Sequence, residues 1–529
     1  MNSKLLRNIL FGMLVLGYFY YAHRYIEATS ITVGADRYYI LFDDAMISMR
    51  YAYNLAHGNG LVWNAGEYVD GFTNPLWVGY MALFHILPIA ASRVSLYIQW
   101  SGALFLGATL YFVRRIVEEY TDSLFTMLAA VAFTAFYSPL ISWDLLGMEV
   151  SILALILTAV VFLSLTKNRF APWTLTLLAV STLFRFDMAV PFIVMLGVMY
   201  FVKPQYRKQN LIWGLGLLVL FLGGQTLARY FYYGDFLPNT YYLKVTGWPF
   251  ALRILRGLYA LVWFIYYTNW MLFLLPFTLL LFRRDWKINL LFLILLAQMA
   301  YSVYVGGDAW EEHGGANRYI AIAMPLFFAV FAVSVEELRR KTVAVLGAGR
   351  IAAAGSQVAW LVIFVISILN FNLLMGDWKY IERWQFTRKP DYVAGSENNL
   401  RIALALQNAT KPGASIAVIG AGTIPYLLPD RYAIDVLGKA DPVIARESVR
   451  TPMSYEDIPD MRPGHMKWDY ARTFGELQPD VIVSIWEGTD EEAAPYLKNY
   501  VYAVVGEGVK VYLKKDSPNV WWDKVIIKN

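Results

Sequence analysis

Cysteine is absent from all 529 residues, which removes disulfide frameworks, thiolate nucleophiles, Cys-ligated zinc and iron–sulfur clusters from consideration. Charge is scarce as well. Asp, Glu, Lys and Arg make up 16% of the chain against 58% hydrophobic residues, and the mean hydropathy is +0.44; an ordinary soluble chain has about 25% charged and roughly 45–50% apolar residues. This balance excludes a disordered chain, a nucleic-acid binder working through a basic surface, and a single soluble core. The excess of 45 Lys+Arg over 40 Asp+Glu is small, so where the basic residues fall matters more than how many there are. No internal repeat or low-complexity tract is evident.

What the chain has in abundance is apolar runs long enough to cross a bilayer. The first, Leu5 to Ala22, follows Lys4 and Arg7 and lacks a small-residue cleavage site, which predicts an uncleaved signal-anchor with its N-terminus inside. Residues 23–92 then form a first outer loop, within which Pro75 to Leu87 reads as an interfacial helix because it is short and carries Pro75, His85 and Pro88. Further spans are expected at Val94–Val113, Ser123–Tyr137, Val150–Leu165, Trp173–Phe184, Met188–Val202, Leu211–Ala228, Leu258–Phe282, Ile288–Val305, Tyr319–Val335 and Trp360–Met375. The total is about eleven. With this assignment the clusters Arg114/Arg115, Lys167/Arg169, Lys203/Arg207/Lys208, Arg283/Arg284/Lys287 and Arg339/Arg340/Lys341 all lie inside, as the positive-inside rule requires. Residues 1–375 are thus a membrane domain. Residues 376–529 are expected to be an extracytoplasmic soluble α/β domain, since charge rises and strand-like runs such as Ser415–Ile419, Val481–Ile485 and Val509–Leu513 alternate with helical stretches.

The same topology sorts acids, amides and isolated bases onto the outer side. Ionisable groups near membrane depth cost several kcal/mol unless a cavity or partner receives them, so their clustering marks a reaction site. The most informative segment is FDDAMISMRYAYNLAHGNGLVWNAGEYVDGFTNPLW, in which Asp43 and Asp44 begin a helix expected over Ala45–His57 and stopped by Gly58. Carboxylates at a helix N-terminus are stabilised as anions. Either acid by itself reads as an ordinary cap more often than as a catalyst. Two adjacent acids point in different directions, however, so one can cap while the other accepts the proton of an attacking hydroxyl or holds a divalent cation.

This block resembles the first outer loop of AftB-like arabinofuranosyltransferases, a branch of the GT-C glycosyltransferases that use polyprenyl-phosphate sugars. Further stretches match in the same order. SWDLLGMEV (Ser142–Val150) is similar to the family's Gly-x-Glu segment, and FRFDMAVP (Phe184–Pro191) to its Arg-Pro-Asp-Gly turn, with Phe186 and Met188 in place of Pro and Gly. YYGDFLPNTYYLK (Tyr232–Lys244) and GGDAWEEHGGANRYIAIAMP (Gly306–Pro325) resemble two more family blocks, and IDVLGKADPVIAR and RPGHMKWD resemble segments of its tail. The resemblance spans nearly the whole chain. It implies a multi-pass GT-C enzyme of a bacterial plasma membrane, with its site facing outward. Such an enzyme would pass a sugar, D-arabinofuranose by this likeness, from a polyprenyl-phosphate to a hydroxyl of a polysaccharide, glycolipid or pilin-type glycoprotein.

Such chemistry needs cations for the departing phosphate and a base for the acceptor. Asp43 and Asp44 are the candidates for base and orienter, in either order, and would also be the ligands of a divalent cation if one takes part; no other cofactor is expected. Lys244, Arg318 and Arg50 are the candidates for the phosphate, with headgroup contact by a snorkelling chain as the ordinary alternative. Glu149, Asp187, Asn239, Tyr232, Asp308, His313, His465 and Lys467 are the candidates for the sugar and acceptor pocket. Such tyrosines are more often an interfacial belt, and His465 and Lys467 read equally as a solvated loop. Two Gly-x-Gly stretches, at Val343–Gly355 and Ile416–Leu427, read as tight turns and not as dinucleotide sites: a span follows the first, and Pro425 stands where the second needs a small residue. A flippase or a non-catalytic scaffold for a lipid-linked sugar is the competing reading, but a flippase has no use for adjacent acids in an outer loop and would place polar groups through the membrane depth. A reporter enzyme fused after Met375 is expected to read as extracytoplasmic; a cytoplasmic signal would overturn the span assignment.

Overall fold

A computed structural model of the chain describes residues 3–166, 172–311, 317–346, 350–450 and 454–528. Contacts divide it into two compact units. The first comprises Met1–Ala28, Gln99–Gly224 and Arg253–Asp391, and the second Thr29–Ile98, Gln225–Leu252 and Tyr392–Asn529. The compact units therefore do not follow the 375/376 division expected from composition: the first outer loop clusters with the tail, as does a short segment around Asn239, while residues 376–391 cluster with the helices.

In the helical unit all the expected spans are mainly helical. Among the described residues six helices are long and apolar enough to cross a membrane: Lys4–Thr29, Ala91–Glu118, Pro204–Tyr233, Phe250–Tyr267, Trp286–Tyr304 and Ala354–Asn372. The pair Leu124–Ala135 and Ser138–Leu145, bent by 48°, supplies a seventh if it is one span, and Val150–Thr166, Pro172–Phe184, Phe186–Val202 and Trp270–Phe282 are shorter apolar helices. The remaining expected span lies in Met324–Leu346. Its last turns carry Glu336, Glu337, Arg339 and Arg340. The helices pack through aromatic rings: Phe133 meets Phe328, Phe331 and Phe371 at centroid separations of 5.9, 5.5 and 5.5 Å, distances suited to edge and offset contacts.

One expected span is broken. Leu258–Phe282 is two pieces, Phe250–Tyr267 and Trp270–Phe282, because Asn269 takes the left-handed conformation (φ 68°) and its side-chain oxygen accepts from the N–H groups of Met271 and Leu272. Asn is suited to both roles. The break bears on topology, since two crossings here instead of one would reverse the side on which everything downstream emerges.

Charged residues separate to two sets of helix ends. Arg7 and Arg114 pair with Glu118, Lys287 with Glu119, Arg283 with Glu337, and Arg339 and Arg340 with Glu336, while Arg340 also reaches Thr121. Lys203 lies over the Trp286 ring. These are the basic clusters expected on one side of the membrane, and the structure brings them together; Lys167 and Arg169 lie outside the described residues. Trp286–Tyr304 runs from this set to the other, a rise of about 28 Å at 1.5 Å per residue.

The second unit opens with a hairpin, β1 (Ile31–Val33) and β2 (Asp36–Tyr38), followed by α1 (Asp43–Ala56) and α2 (Pro75–Ile86). Helix α1 begins at the acids themselves, two residues earlier than expected. Next come α3 (Asn239–Val245) and, in the tail, α4 (Val393–Ala409), β3 (Ser415–Val418), α5 (Thr423–Leu427), β4 (Tyr432–Asp435) and α6 (Pro442–Arg446). Strands β5 (Val481–Ile482), β6 (Tyr500–Val505), β7 (Val509–Lys514) and β8 (Val525–Ile527) complete a six-stranded sheet in the order β4-β3-β5-β7-β6-β8. Strands β4, β3 and β5 are parallel and the rest antiparallel. The Ile-Ala-Val run of β3 is buried throughout, as a central parallel strand covered on both faces requires. Ala417, Ile434, Val436, Leu437, Trp468, Phe474 and Ile482 form the core beside it.

Candidate functional site

Two groups of expected site residues are assembled, one in each unit. In the helical unit Arg185 donates Nε and Nη2 to the two oxygens of Asp187 at 2.6 and 2.8 Å, and Nη1 to Glu149 at 3.5 Å. Its guanidinium also lies over the Tyr319 ring at 5.1 Å. The neighbouring Arg318 lies over Trp143 and pairs through Nε with Asp308 at 3.1 Å, while its backbone N–H donates to the same carboxylate oxygen at 3.2 Å. Glu311 accepts from Arg256, from the Asp308 N–H and from Asn317. All of these groups are buried or nearly so. A buried charge without its partner costs about 3–5 kcal/mol, so each arginine here is first of all the neutraliser of a carboxylate. Asp308 is accordingly paired with Arg318. His313 lies outside the described residues.

In the second unit the adjacent acids part company. Asp43 turns its carboxylate onto the glycine turn after β3, where Gly422 N–H (3.2 Å), Thr423 N–H (2.9 Å) and Asn399 Nδ2 (3.3 Å) all donate to it. A Cβ at Gly422 would collide with the Asp43 carbonyl oxygen, and one at Gly420 would sit 3.2 Å from Asp43 Oδ2. The Gly-x-Gly at Gly420–Gly422 is thus a tight turn, as expected, and its free N–H groups are used by a carboxylate of the same chain. The corresponding Gly347 and Gly349 of the other stretch lie outside the described residues.

Asp44 faces elsewhere. Its Oδ1 accepts from Lys439 Nζ at 2.9 Å, with the carboxylate 17% and the lysine side chain 11% exposed. Lys439 was not among the residues singled out in the sequence, although it stands in the quoted IDVLGKADPVIAR segment; a lone Lys in a glycine loop carries no signal of its own. The loop holding it is tightly built. The Asp435 carboxylate accepts from the N–H groups of Leu437 (3.0 Å) and Ala440 (2.6 Å), and Asp441 caps α6 through Val443 and Ile444. Asn239 donates to the carbonyls of Gly438, Lys439 and Asp441 at 2.9, 3.0 and 3.3 Å. Asn239 is therefore the clamp of the Lys439 loop, where a pocket contact was expected.

His465 belongs to this cluster. Burial, followed by the nearby positive charge of Lys439, pushes its pKa from 6.5 down to about 3, with Asp44 opposing and Lys244 adding to the effect. Its ring stacks on Trp486 at 5.9 Å. The stem of Lys244 lies against Gly464, where a Cβ would come within 3.1 Å of Cε. Lys467 is fully buried and donates to the carbonyls of Tyr242 (3.1 Å) and Ala445 (2.7 Å), tying α3 to α6, and burial lowers its pKa to about 8. That is a structural position, not the solvated or pocket position expected. Tyr232 accepts from the Leu61 N–H at 2.9 Å and meets Tyr68 edge-on, which makes it a brace for the loop after α1.

Arg50 departs furthest from expectation. It is 2% exposed, and its guanidinium donates to the carbonyls of Trp63, Pro425, Leu428 and Arg431 at 2.8, 2.7, 3.3 and 3.2 Å. A guanidinium so engaged has no edge left for a phosphate; α1 simply carries a long cation that satisfies the end of α5. The metal expectation also finds little to work with, since Asp43 is taken by N–H donors and Asp44 by an ammonium. Among the described residues no three His, Asp or Glu side chains gather.

Residues 391–512 match a family described as Domain of unknown function (DUF8728), and no curated protein matches the chain. Among solved structures, ArnT from Cupriavidus metallidurans in the apo state superposes with a TM-score of 0.55 at 12% identity, covering 97% of this chain and 98% of that one. The same protein bound to undecaprenyl phosphate gives 0.55 at 11%, with the same coverage. The archaeal oligosaccharyltransferase AglB from Archaeoglobus fulgidus, in complex with an inhibitory peptide and a dolichol-phosphate, gives 0.54 at 10%, covering 99% of this chain and 76% of that one. Both are GT-C glycosyltransferases. The chain has the GT-C fold of polytopic membrane proteins, with a C-terminal sheet domain. The likeness shows the fold and does not reach the arabinofuranosyltransferase branch that the motifs resemble.

Two outcomes test this reading of the second unit. Arg50→Met should lower stability by about 3 kcal/mol, because four carbonyls lose a charged donor; an unchanged melting temperature in detergent would deny the clamp. His465 binds its proton near pH 6.5 when unfolded and near 3 when folded, so the unfolded state holds more protons between those values and stability should fall as pH drops through that window. His465→Gln should flatten this part of the melting-temperature profile, and an unaltered acid limb would count against the burial of a neutral imidazole.

Proposed function

We propose that this chain is a membrane glycosyltransferase that moves a sugar from a polyprenyl-phosphate to a hydroxyl of a cell-envelope acceptor, a glycan, glycolipid or glycoprotein. The observation that carries the proposal is the Asp44 carboxylate, held beside Lys439 at 2.9 Å in a cluster whose other members are His465 and Lys244. A shared fold with proteins solved with undecaprenyl phosphate and with a dolichol-phosphate supports the donor class. The motif resemblance supports D-arabinofuranose as the sugar, and the outward face of a bacterial plasma membrane as the place.

In the proposed reaction the acceptor oxygen bonds to the anomeric carbon as the bond from that carbon to the phosphate oxygen breaks, and the phosphate departs with the bonding pair. Asp44 takes the acceptor's proton. Lysine ammonium groups stabilise the charge that grows on the phosphate, the larger share of catalysis in such transfers. Asp43 acts as a positioning residue: bound to the Gly422 and Thr423 N–H groups, it orients the first turn of α1 and hence its neighbour. Glu149, Asp187 and Asp308 are proposed to hold the helix ends of their own unit through Arg185 and Arg318.

The test is transfer by purified protein in detergent, using a short-chain polyprenyl-phospho-arabinofuranose with a panel of glycan acceptors. Asp44→Asn should reduce turnover by about 100-fold or more, the range of a positioned base, while donor binding persists. Asp43→Asn should keep part of the activity. Full turnover in the Asp44 variant would remove that carboxylate from the mechanism, and donor binding without any transfer would favour a flippase or scaffold.

A further inference from the structure

Lys439 has an unusual position for a buried cation. Its backbone is held by a loop that owes nothing to Asp44: Asp435 ties two N–H groups of the loop, Asn239 three of its carbonyls, and Gly438 supplies a left-handed turn at φ 79°. The ammonium is therefore delivered to this point by the fold and is not drawn there by its carboxylate. An ammonium has three donors. Among the described residues Asp44 is the acceptor of one, so two point where no protein oxygen receives them. Buried donors in that state call for a ligand with several acceptor oxygens. The surrounding charges are mixed: Lys244 and Arg462 stand with Lys439 near His465, and Asp43, Asp44 and Asp435 act on Lys439.

The pairing also carries a chemical cost. A carboxylate hydrogen-bonded to an ammonium is a poor proton acceptor, because the positive charge stabilises its ionised form. As long as Lys439 stays on Asp44, the proposed base is muted.

We propose that Lys439 is shared: it pairs with Asp44 before the donor binds, and the phosphate of a polyprenyl-phosphate donor draws the ammonium to itself, leaving Asp44 a better acceptor for the proton of the incoming hydroxyl. The inference rests on the donor class proposed above and adds to it an order of events, in which the base gains basicity once a phosphate is seated. Water or an acceptor arriving first meets a neutralised carboxylate. Lys244, alongside the turn at Gly464, supplies a second cation to the same phosphate.

Sharing predicts opposite signs for two neighbouring substitutions. Binding of farnesyl phosphate to the full-length protein in detergent, followed by calorimetry, should weaken about tenfold or more in Lys439→Gln, the loss of a charge-assisted hydrogen bond. In Asp44→Asn it should tighten by about three- to tenfold, since the competing carboxylate is gone. The double variant should lose that gain. A misfolded protein cannot bind more tightly, so the sign in Asp44→Asn separates sharing from a structural ion pair. Weaker or unchanged binding in Asp44→Asn, or indifference to Lys439→Gln, overturns the sharing while leaving the donor class standing. Wild-type protein that takes no farnesyl phosphate at all overturns the donor class and the sharing with it.

Discussion

The carboxylate of Asp43 is the interaction on which the second unit depends. It stands in the first turn of α1, in a segment that sequence position places in a loop between apolar runs, and it satisfies two N–H groups of a turn some 380 residues later. Buried N–H groups left without acceptors are costly, so the turn after β3 and the start of α1 require each other. Arg50, two turns along the same helix, repeats the arrangement with opposite sign, its guanidinium taking the carbonyls at the end of α5. One short helix thus supplies the anion for one end of a second helix and the cation for the other. With α1 held in this way, Asp44 is turned toward Lys439.

This arrangement bears on which acid acts. Both acids begin a helix and both are stabilised by its dipole, which makes them alike on paper. Their surroundings separate them. Asp43 is ringed by neutral donors, two of them backbone N–H groups and one the Asn399 amide, whereas Asp44 faces the ammonium of Lys439 and is part-exposed. A group whose partner can be exchanged is suited to a reaction cycle; one whose partners are the main chain is suited to holding a shape.

The helical unit solves a related problem with different means. Many of its charged residues collect at the two sets of helix ends and pair there: Arg7, Arg114, Lys287, Arg283, Arg339 and Arg340 with Glu118, Glu119, Glu336 and Glu337 at one set, and Arg185, Arg318 and Arg256 with Asp187, Glu149, Asp308 and Glu311 at the other. Between them the helices meet through aromatic and aliphatic side chains. This is the distribution that an apolar medium imposes, because an unpaired charge between the ends would have neither water nor a partner.

The amino-acid sequence by itself determined the class of protein. Apolar length, the spacing of basic clusters and the rise in charge after the last span are local properties, and a bilayer acts on them locally, which is why the helical segments and the gathering of the basic ends were legible. The tail's strands were legible because apolar alternation and turn residues are local too. Tertiary structure alone decided which polar groups meet. That Arg50 would spend its charge on carbonyls near α5, that Asn239 would clamp the Lys439 loop, that Asn269 would break an apolar run, and that Lys439 rather than Arg50 would stand beside an acid depend on contacts between residues distant in the chain. A hydrogen bond is directional and short, so its partner is settled by where the backbone passes. Hydropathy and spacing carry no record of that.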